Sequence, residues 1–323
     1  MMKDLIKPFL TNHEDIVLDI TYDYYGKQLA TCSADNHIKI FDLNNGNWIL
    51  NESFKAHDST IVKILFTKPE FGNLLISISY DRCIKIWQEQ FDELLCSGLR
   101  WKRICIINDS YGPLYDLCLS PTTPINNSLK FATIGSDGKL RIYENLNPCN
   151  LSLIELIFEI DVLKNNVNNQ LQSDFNVVWS KSLNGLDLIC VSALDQAYIY
   201  ANTTNDAGDN NTINFEMKCL LGDHNGLIRS IDWAPNMGKS YHLIATGCKD
   251  GYLRIFKLIE INNNLEFKIE LIDSFNDHKG EIWKVSWNTT GTILSSCGDD
   301  GLIRLYKSNY ANKFQCMSII TSN

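Results

Sequence analysis

Short runs of alternating apolar and polar residues recur along the whole chain, and each run ends in an aromatic side chain. A small or apolar stretch precedes an aspartate in every copy, and an alternating stretch follows it. The six copies are LATCSADNHIKIF (29–41), LISISYDRCIKIW (75–87), FATIGSDGKLRIY (131–143), ICVSALDQAYIY (189–200), IATGCKDGYLRIF (244–256) and LSSCGDDGLIRLY (294–306). Alternation with a period of two indicates β-strands, because successive side chains of a strand point to opposite faces.

One aspartate marks the turn of each copy, and the six are Asp35, Asp81, Asp137, Asp195, Asp250 and Asp300. Their separations of 46 to 58 residues suit one small antiparallel sheet per copy. Such a sheet cannot bury both faces alone, so it stacks on its neighbours. The pattern therefore predicts an all-β fold, a six-bladed β-propeller, in which residues 1–323 form a single domain.

The last copy continues beyond its aromatic residue into a further strand. Blade six is predicted to hold four strands from its own sequence, at about 281–288, 293–297, 302–307 and 314–321. Many propellers close the ring with a strand from the opposite terminus, and here that strand is not needed. The residues leave two alternatives, a closed ring and a seam left open between blades one and six. An open seam would expose apolar side chains from both ends of the chain, for which the candidates are Leu5, Phe9, Leu10, Ile16, Met317 and Ile319.

The composition argues against several classes of function. A net charge of −9 disfavours direct binding of nucleic acid or of an anionic membrane. The one dense basic cluster, 100–103, is expected to be a solvated turn at a loop edge. No apolar run is long enough to span a bilayer. The eleven cysteines include no C-x-x-C pair, so neither a zinc site nor a redox motif is expected.

The chain also lacks the common signatures of catalysis and cofactor binding. There is no glycine-rich phosphate loop, G-x-S-x-G or H-E-x-x-H sequence. We therefore expect no catalytic residues, no metal site and no cofactor, and a protein that is not an enzyme.

Four histidines add a second landmark, since His13, His57, His224 and His278 lie 22 to 26 residues before a repeat aspartate. Together with the repeat itself, they resemble the WD-repeat family. In that family a His, a Ser or Thr, an Asp and a Trp form a buried hydrogen-bond chain within a blade. Only the second copy has all four members, and they are His57, Ser77, Asp81 and Trp87. A Ser, a His and an Asp also occur in hydrolases, but the fixed spacing recurs in other copies, which favours a structural role.

Longer segments resemble one nucleoporin branch of this family over nearly the full chain. They include AHDSTIV (56–62), CSGLRWKRICIINDSYGPLY (96–115), LQSDFNVVW (171–179) and VSWNTTGTILSSCGDDGLIRLYK (285–307). The resemblance implies an open propeller whose seventh blade is inserted in trans by an α-solenoid partner. It also implies a structural role in the Y-shaped scaffold of the nuclear pore, at the nuclear envelope, in nucleocytoplasmic transport of protein and mRNA.

The same resemblance implies a second assembly, the SEA (GATOR) complex, whose solenoid subunit would bind this chain at the vacuolar or lysosomal membrane surface and regulate TOR signalling. Membrane association would arise only through that complex. The alternative is a generic, closed WD-repeat adaptor that binds peptides on the top face of the ring. An enzyme on a propeller scaffold is the third alternative, and no convergent reactive groups support it.

Overall fold

The computed structural model describes residues 9–121, 128–147, 150–163, 174–181, 187–203, 214–262, 266–309 and 313–321. The chain divides into two compact units, one of Met1–Tyr115 with Asn147–Ile154 and the other of Asp116–Leu146 with Glu155–Asn323. The single domain over 1–323 stays a prediction.

The described residues form strands and one short 3₁₀ turn, Pro69–Phe71. Blades 1 to 3 comprise β1 Val17–Tyr22, β2 Gln28–Ser33, β3 His37–Asn44, β4 Asn47–Lys55, β5 Ile61–Phe66, β6 Leu74–Ser79, β7 Ile84–Glu89, β8 Trp101–Ile107, β9 Leu114–Leu119, β10 Lys130–Gly135, β11 Lys139–Asn145 and β12 Ile154–Asp161. Blades 4 to 6 comprise β13 Phe175–Trp179, β14 Leu188–Ala193, β15 Gln196–Asn202, β16 Phe215–Leu221, β17 Ile228–Trp233, β18 His242–Cys248, β19 Leu253–Asn262, β20 Glu266–Phe275, β21 Ile282–Trp287, β22 Ile293–Gly298, β23 Leu302–Ser308 and β24 Phe314–Thr321.

Each sheet is built from four strands that are consecutive in the chain, which confirms the all-β, six-bladed propeller. The four strands predicted for blade 6 are all present, and the outermost is β24. In the described part of the chain no blade takes a strand from another blade, so no hydrogen-bonded latch joins the first blade to the last.

The sheets share one register, so equivalent positions can be compared between blades. The first strand shifts register after its first residue in blades 1, 2, 5 and 6. The third and fourth strands shift again at the repeat aromatic residue or next to it, for example between Ile40 and Phe41 and between Leu305 and Tyr306. A bulge adds one residue and increases the local twist, and its recurrence shows that blades 1, 2, 5 and 6 are built on the same pattern.

The core consists of apolar layers between stacked sheets. One layer joins Ala30, Cys32 and Ile38 of blade 1 to Ile61 and Ile64 of blade 2, and all five are fully buried. Burial of one such aliphatic side chain contributes roughly 1.5–3 kcal/mol. A second layer joins blades 5 and 6 in the same way.

The basic cluster at 100–103 is not a solvated turn. Trp101 begins β8 and is buried against the layer between blades 1 and 2. The guanidinium of Arg100 lies 2.8 Å from the buried carboxylate of Glu89. The prediction was wrong because Trp101 stands beside three basic residues and was therefore assigned to a polar segment. The residues from Trp101 onward in fact form the strand β8.

Candidate docking faces and the buried networks behind them

The four residues predicted as a hydrogen-bond chain in blade 2 lie together. The indole N–H of Trp87 donates to Ser77 Oγ at 3.0 Å. Ser77 Oγ is 2.7 Å from His57 Nε2, and His57 Nδ1 is 2.8 Å from Asp81 Oδ2. His57 and Ser77 are almost fully buried. The chain connects the loop between β4 and β5 to β6, to the β6–β7 turn and to β7, and every buried polar group in it has a partner.

Burial and hydrogen bonding set the charge states in this chain. Burial lowers the pKa of His57, and the neighbouring Asp81 only partly opposes that shift. Burial alone would raise the pKa of Asp81, but hydrogen bonds from His57 and from the backbone N–H groups of Cys83 and Asp58 hold it well below its usual range. The stable pair is therefore a neutral imidazole donating to a carboxylate, and Ser77 Oγ contacts an indole and a histidine within the buried chain.

Other blades keep parts of the chain. In blade 6, His278 lies 2.7 Å from Ser296 Oγ and 2.9 Å from Asp300. In blade 1, His13 lies 2.9 Å from Thr31 and 2.8 Å from Asp35. The repeat aromatic residues of blades 1 and 6 are Phe41 and Tyr306, and neither has an indole N–H to add to the chain.

Blade 5 differs because the repeat aspartate forms an ion pair with an arginine through both of its carboxylate oxygens. Arg254 donates to both carboxylate oxygens of Asp250, at 3.2 and 2.7 Å. His224 keeps its contact with Thr246 at 2.9 Å, but its Nδ1 has no side-chain hydrogen-bond partner among the described residues. Burial, with the nearby charge of Arg254, lowers the pKa of His224 to about 4.

Blades 3 and 4 have no landmark histidine. In blade 3, Arg141 is fully buried and pairs with Asp137 at 2.6 Å and Glu159 at 2.8 Å. The Thr133 hydroxyl has no hydrogen-bond partner within the part of the chain that the structure describes. In blade 4, Asp195 is exposed in the two-residue turn formed by Leu194 and Asp195. In the described residues it therefore takes no part in a buried hydrogen-bond network.

The sequence prediction missed a buried basic residue that follows the repeat aspartate by four positions. The five examples are Lys39, Lys85, Arg141, Arg254 and Arg304. Four of these are buried, and the exception is Lys39, which donates to the backbone oxygens of Thr11 and Asn12. The sequence already contained this signal, because a basic residue follows the repeat aspartate by four positions in every copy except the fourth.

The face of blade 1 turned away from blade 2 is apolar and exposed. We call it the blade 1 end face and define it by Ile20, Tyr22 and Phe41. Ile20 pairs with Thr31 and is 55% exposed. Ile64, which pairs with Ser77 at the same position of blade 2, is 0% exposed. The equivalent residues of blades 4, 5 and 6 are also buried, and they are Val177, Ile231 and Val285.

The outer part of this end face is covered by the segment 9–16. Phe9 packs edge-on against Phe41 with ring centroids 5.3 Å apart. In two other blades the same contact comes from the outer strand of the preceding blade, as Phe54 on Trp87 at 4.7 Å and as Phe275 on Tyr306 at 4.8 Å. Segment 9–16 thus supplies one contact of a preceding blade, and leaves Ile20 and Tyr22 uncovered.

The face of blade 6 turned away from blade 5 shows the same property. We call it the blade 6 end face and define it by Ile293, Ile303 and Leu305. Ile303 is 42% exposed, and the other two are half-buried. Their equivalents in blade 5 are Leu243, Leu253 and Ile255, which are at most 4% exposed because blade 6 covers them.

The predicted seam residues in the described part of the chain are exposed. Ile16 and Leu10 are 70% and 85% exposed, and Phe9 is 37% exposed. Met317 and Ile319 are exposed on the edge strand β24. The register places Ile319 opposite Arg304, so Ile319 lies on the other side of the sheet from the blade 6 end face. Ile320 is the residue opposite Ile303 and shares its side of the sheet. Leu5 lies outside the described residues.

Within the described residues no three His, Cys, Asp or Glu side chains are grouped as a metal site. No helix in this part of the chain is long and apolar enough to cross a bilayer.

Comparison with known proteins agrees with the repeat. The WD domain, G-beta repeat model matches residues 5–42, 216–257 and 269–307, which fall on blades 1, 5 and 6. Nucleoporin SEH1 of Saccharomyces cerevisiae is 42% identical over 98% of this chain and 99% of its own length. Nucleoporin seh1 of Schizosaccharomyces pombe is 35% identical over 96% of this chain and 95% of its own length. The chain belongs to the nucleoporin SEH1 family.

Membership of the SEH1 family extends to distant species. Nucleoporin SEH1 of Homo sapiens is 30% identical over 97% of this chain and 87% of its own length. These alignments cover all six blades, including both blades that carry an exposed end face.

Proposed function

We propose that the chain is a structural, non-catalytic subunit of the nuclear pore scaffold, located at the nuclear envelope and serving nucleocytoplasmic transport of protein and mRNA. The observation that carries the proposal is the pair of exposed apolar end faces in a chain of the nucleoporin SEH1 family. Monomeric proteins rarely leave contiguous apolar surface open to water, and such surface marks an interaction site.

The partner in this proposal is an α-solenoid subunit of the Y-shaped complex that donates a further blade in trans. Support comes from the equivalence of Ile20 with Ile64 and of Ile303 with Leu253. The buried member of each pair is covered by a neighbouring four-stranded sheet, so a sheet is the shape that suits the exposed member. The blade 1 end face and the blade 6 end face are the surfaces on which the donated blade would pack.

A second assembly of the same kind is part of the proposal. A solenoid subunit of the SEA (GATOR) complex would use the same two faces, so that the chain reaches the vacuolar or lysosomal membrane surface only through that complex. Since one set of faces would serve both partners, the two assemblies would exclude each other on a single copy of the chain.

Affinity purification of the tagged chain tests the proposal, with mass spectrometry of the proteins retained at moderate salt. We expect solenoid subunits of the nuclear pore and of the SEA complex at close to equal amounts with the chain. Ile20→Asp and Ile303→Asp should each remove them, because a charge on an end face must be buried without a partner. Ile106→Asp is the control, since Ile106 is 44% exposed on the edge strand β8.

Two results would contradict the proposal. Recovery of ubiquitin-ligase or chromatin subunits in place of solenoids would favour the closed adaptor that reads peptides on its top face. Full recovery of the solenoids with both end-face variants would show that the partner does not bind at these faces.

A further inference from the structure

A basic cavity of about 200 Å³ is lined by residues of blades 5 and 6. Its wall includes Lys239 in the loop after β17, Lys257 on β19 and Lys307 at the end of β23. Three ammonium groups around one cavity are notable in a chain whose net charge is −9. Opposite charge focused in a concave site attracts a ligand of the complementary sign.

The three lysines are not neutralised by carboxylates. None of them has an acidic group within 4 Å in the part of the chain that the structure describes. The acidic residue opposite Lys257 in the ladder is Glu270, which is paired with Lys268 at 2.7 Å. Lys239 Nζ donates to the backbone oxygen of Gly291 at 3.1 Å, which leaves two of its N–H groups for a ligand.

An aromatic ring holds two of these charges close together. Lys257 Nζ lies 4.5 Å from the ring centroid of Tyr241, and Lys239 Nζ lies 5.9 Å from the same centroid. Burial lowers the pKa of Lys239, so an anion that enters the cavity would favour its charged form.

The remaining wall is apolar. Leu243 and Phe314 are buried at 4% and 5% exposure, and Ile272 is half-buried beside them. A free phosphate ion would meet the ammonium groups but leave this apolar surface unfilled. The cavity therefore suits a ligand that combines negative charges with one apolar group.

The wall formed by the β21–β22 loop is fixed before any ligand arrives. Gly291 has a φ of +61°, and a Cβ added to it would lie 2.6 Å from the backbone oxygen of Pro235. The side-chain oxygen of Asn288 accepts from the N–H groups of Thr292 and Ile293 at 2.8 and 3.1 Å. A preformed wall lowers the entropy lost on binding.

We propose that this cavity binds a short acidic peptide segment of a partner, with one apolar side chain on Leu243 and Phe314 and flanking carboxylates on the three lysines. The lining residues all belong to this chain, so the site can be tested on the isolated chain without the partner blade.

Fluorescence anisotropy with a labelled peptide tests the proposal. The probe has the sequence Glu-Asp-Leu-Asp-Glu. A control peptide, the serine peptide, has Ser in place of Leu. We expect the probe to bind the full chain, and Lys257→Glu with Lys307→Glu to weaken binding by about tenfold or more. Lys55→Glu with Lys102→Glu is the control, because both lysines are exposed and lie in blades 1 and 2. Should the charge-reversed variant fail to fold, Lys257→Gln with Lys307→Gln decides the result.

Four outcomes would overturn the proposal. The probe could fail to bind, or it could bind the cavity variant and the control variant equally. The serine peptide could bind as tightly as the probe, which would show attraction to charge alone. Inorganic phosphate at millimolar concentration could displace the probe, which would assign the cavity to a phosphate group.

Discussion

Ile20 and Ile64 occupy the same position in neighbouring sheets, yet one is 55% exposed and the other is 0% exposed. The same contrast separates Ile303 from Leu253 at the other end of the chain, at 42% against 0%. In each case the sheet, the register and the apolar side chain are alike, and only the neighbour is missing. An end face of this chain is thus an interior blade face without its covering sheet.

The comparison gives a physical basis for the proposed association through the end faces, which contain no reactive group among the residues that define them. A side chain such as isoleucine contributes roughly 1.5–3 kcal/mol when it is buried and little when it stays in water. The interior faces have used this free energy in folding. The end faces keep it available for association, and the short contact made by Phe9 on Phe41 takes only a small part of it.

The largest expected effect comes from placing a charge on an interior face. Ile64→Asp should lower the free energy of unfolding by more than about 4 kcal/mol, because it buries an unpaired carboxylate. Urea unfolding followed by tryptophan fluorescence measures it. Ile20→Asp is the matched variant, and it should change the stability of the isolated chain by less than about 0.5 kcal/mol. Equal losses in both variants would mean that Ile20 is buried in solution.

A smaller effect is expected when blade 2 is made to resemble blade 1. Trp87→Phe removes the indole N–H that donates to Ser77 and leaves an aromatic ring of the kind that Phe41 provides. The loss of one buried hydrogen bond should cost about 1 kcal/mol, with some further loss from the smaller ring. Partner binding should not change, since Trp87 packs inside the layer between blades 1 and 2. Loss of binding with unchanged stability would give Trp87 a direct role at a docking surface.

The smallest effect concerns the pH dependence of stability and the histidine of blade 5, His224. The pKa of His224 is lowered to about 4, so between about 6.5 and 4 the unfolded state binds a proton that the folded state does not. Stability should therefore fall as the pH falls through this window. His224→Gln should make that slope shallower in urea titrations, while the two slopes should coincide above about pH 7.5. Identical slopes throughout the window would show that the pKa of His224 is the same in the folded and the unfolded chain.

The sequence was sufficient for features that repeat and insufficient for features that depend on a neighbour. The period-two pattern and the six aspartates correctly predicted every blade, and the spacing of His57, Ser77, Asp81 and Trp87 correctly predicted one buried chain. Two consequences of packing were not readable. Arg254 takes Asp250 away from His224, a competition decided by side-chain geometry.

The second consequence is the exposure of Ile20 and Ile303. Both residues stand in strands whose apolar pattern matches that of interior blades, so pattern alone assigns them to the core. Aligning VLDITY with IVKILF by cross-strand register places Ile20 on the same face as Ile64. Only the absence of a covering sheet in the described residues then shows that this face is free.

Hydroxyl-radical footprinting of the chain, alone and in its native assembly, tests most directly whether a partner covers the end faces. Tyr22 of the blade 1 end face is 58% exposed, and Tyr111 is an 80% exposed reference of the same type. We expect Tyr22 to be oxidised in the isolated chain and protected in the assembly, with Tyr111 oxidised in both. Oxidation of Tyr22 to the same extent in both samples would contradict the coverage of the blade 1 end face.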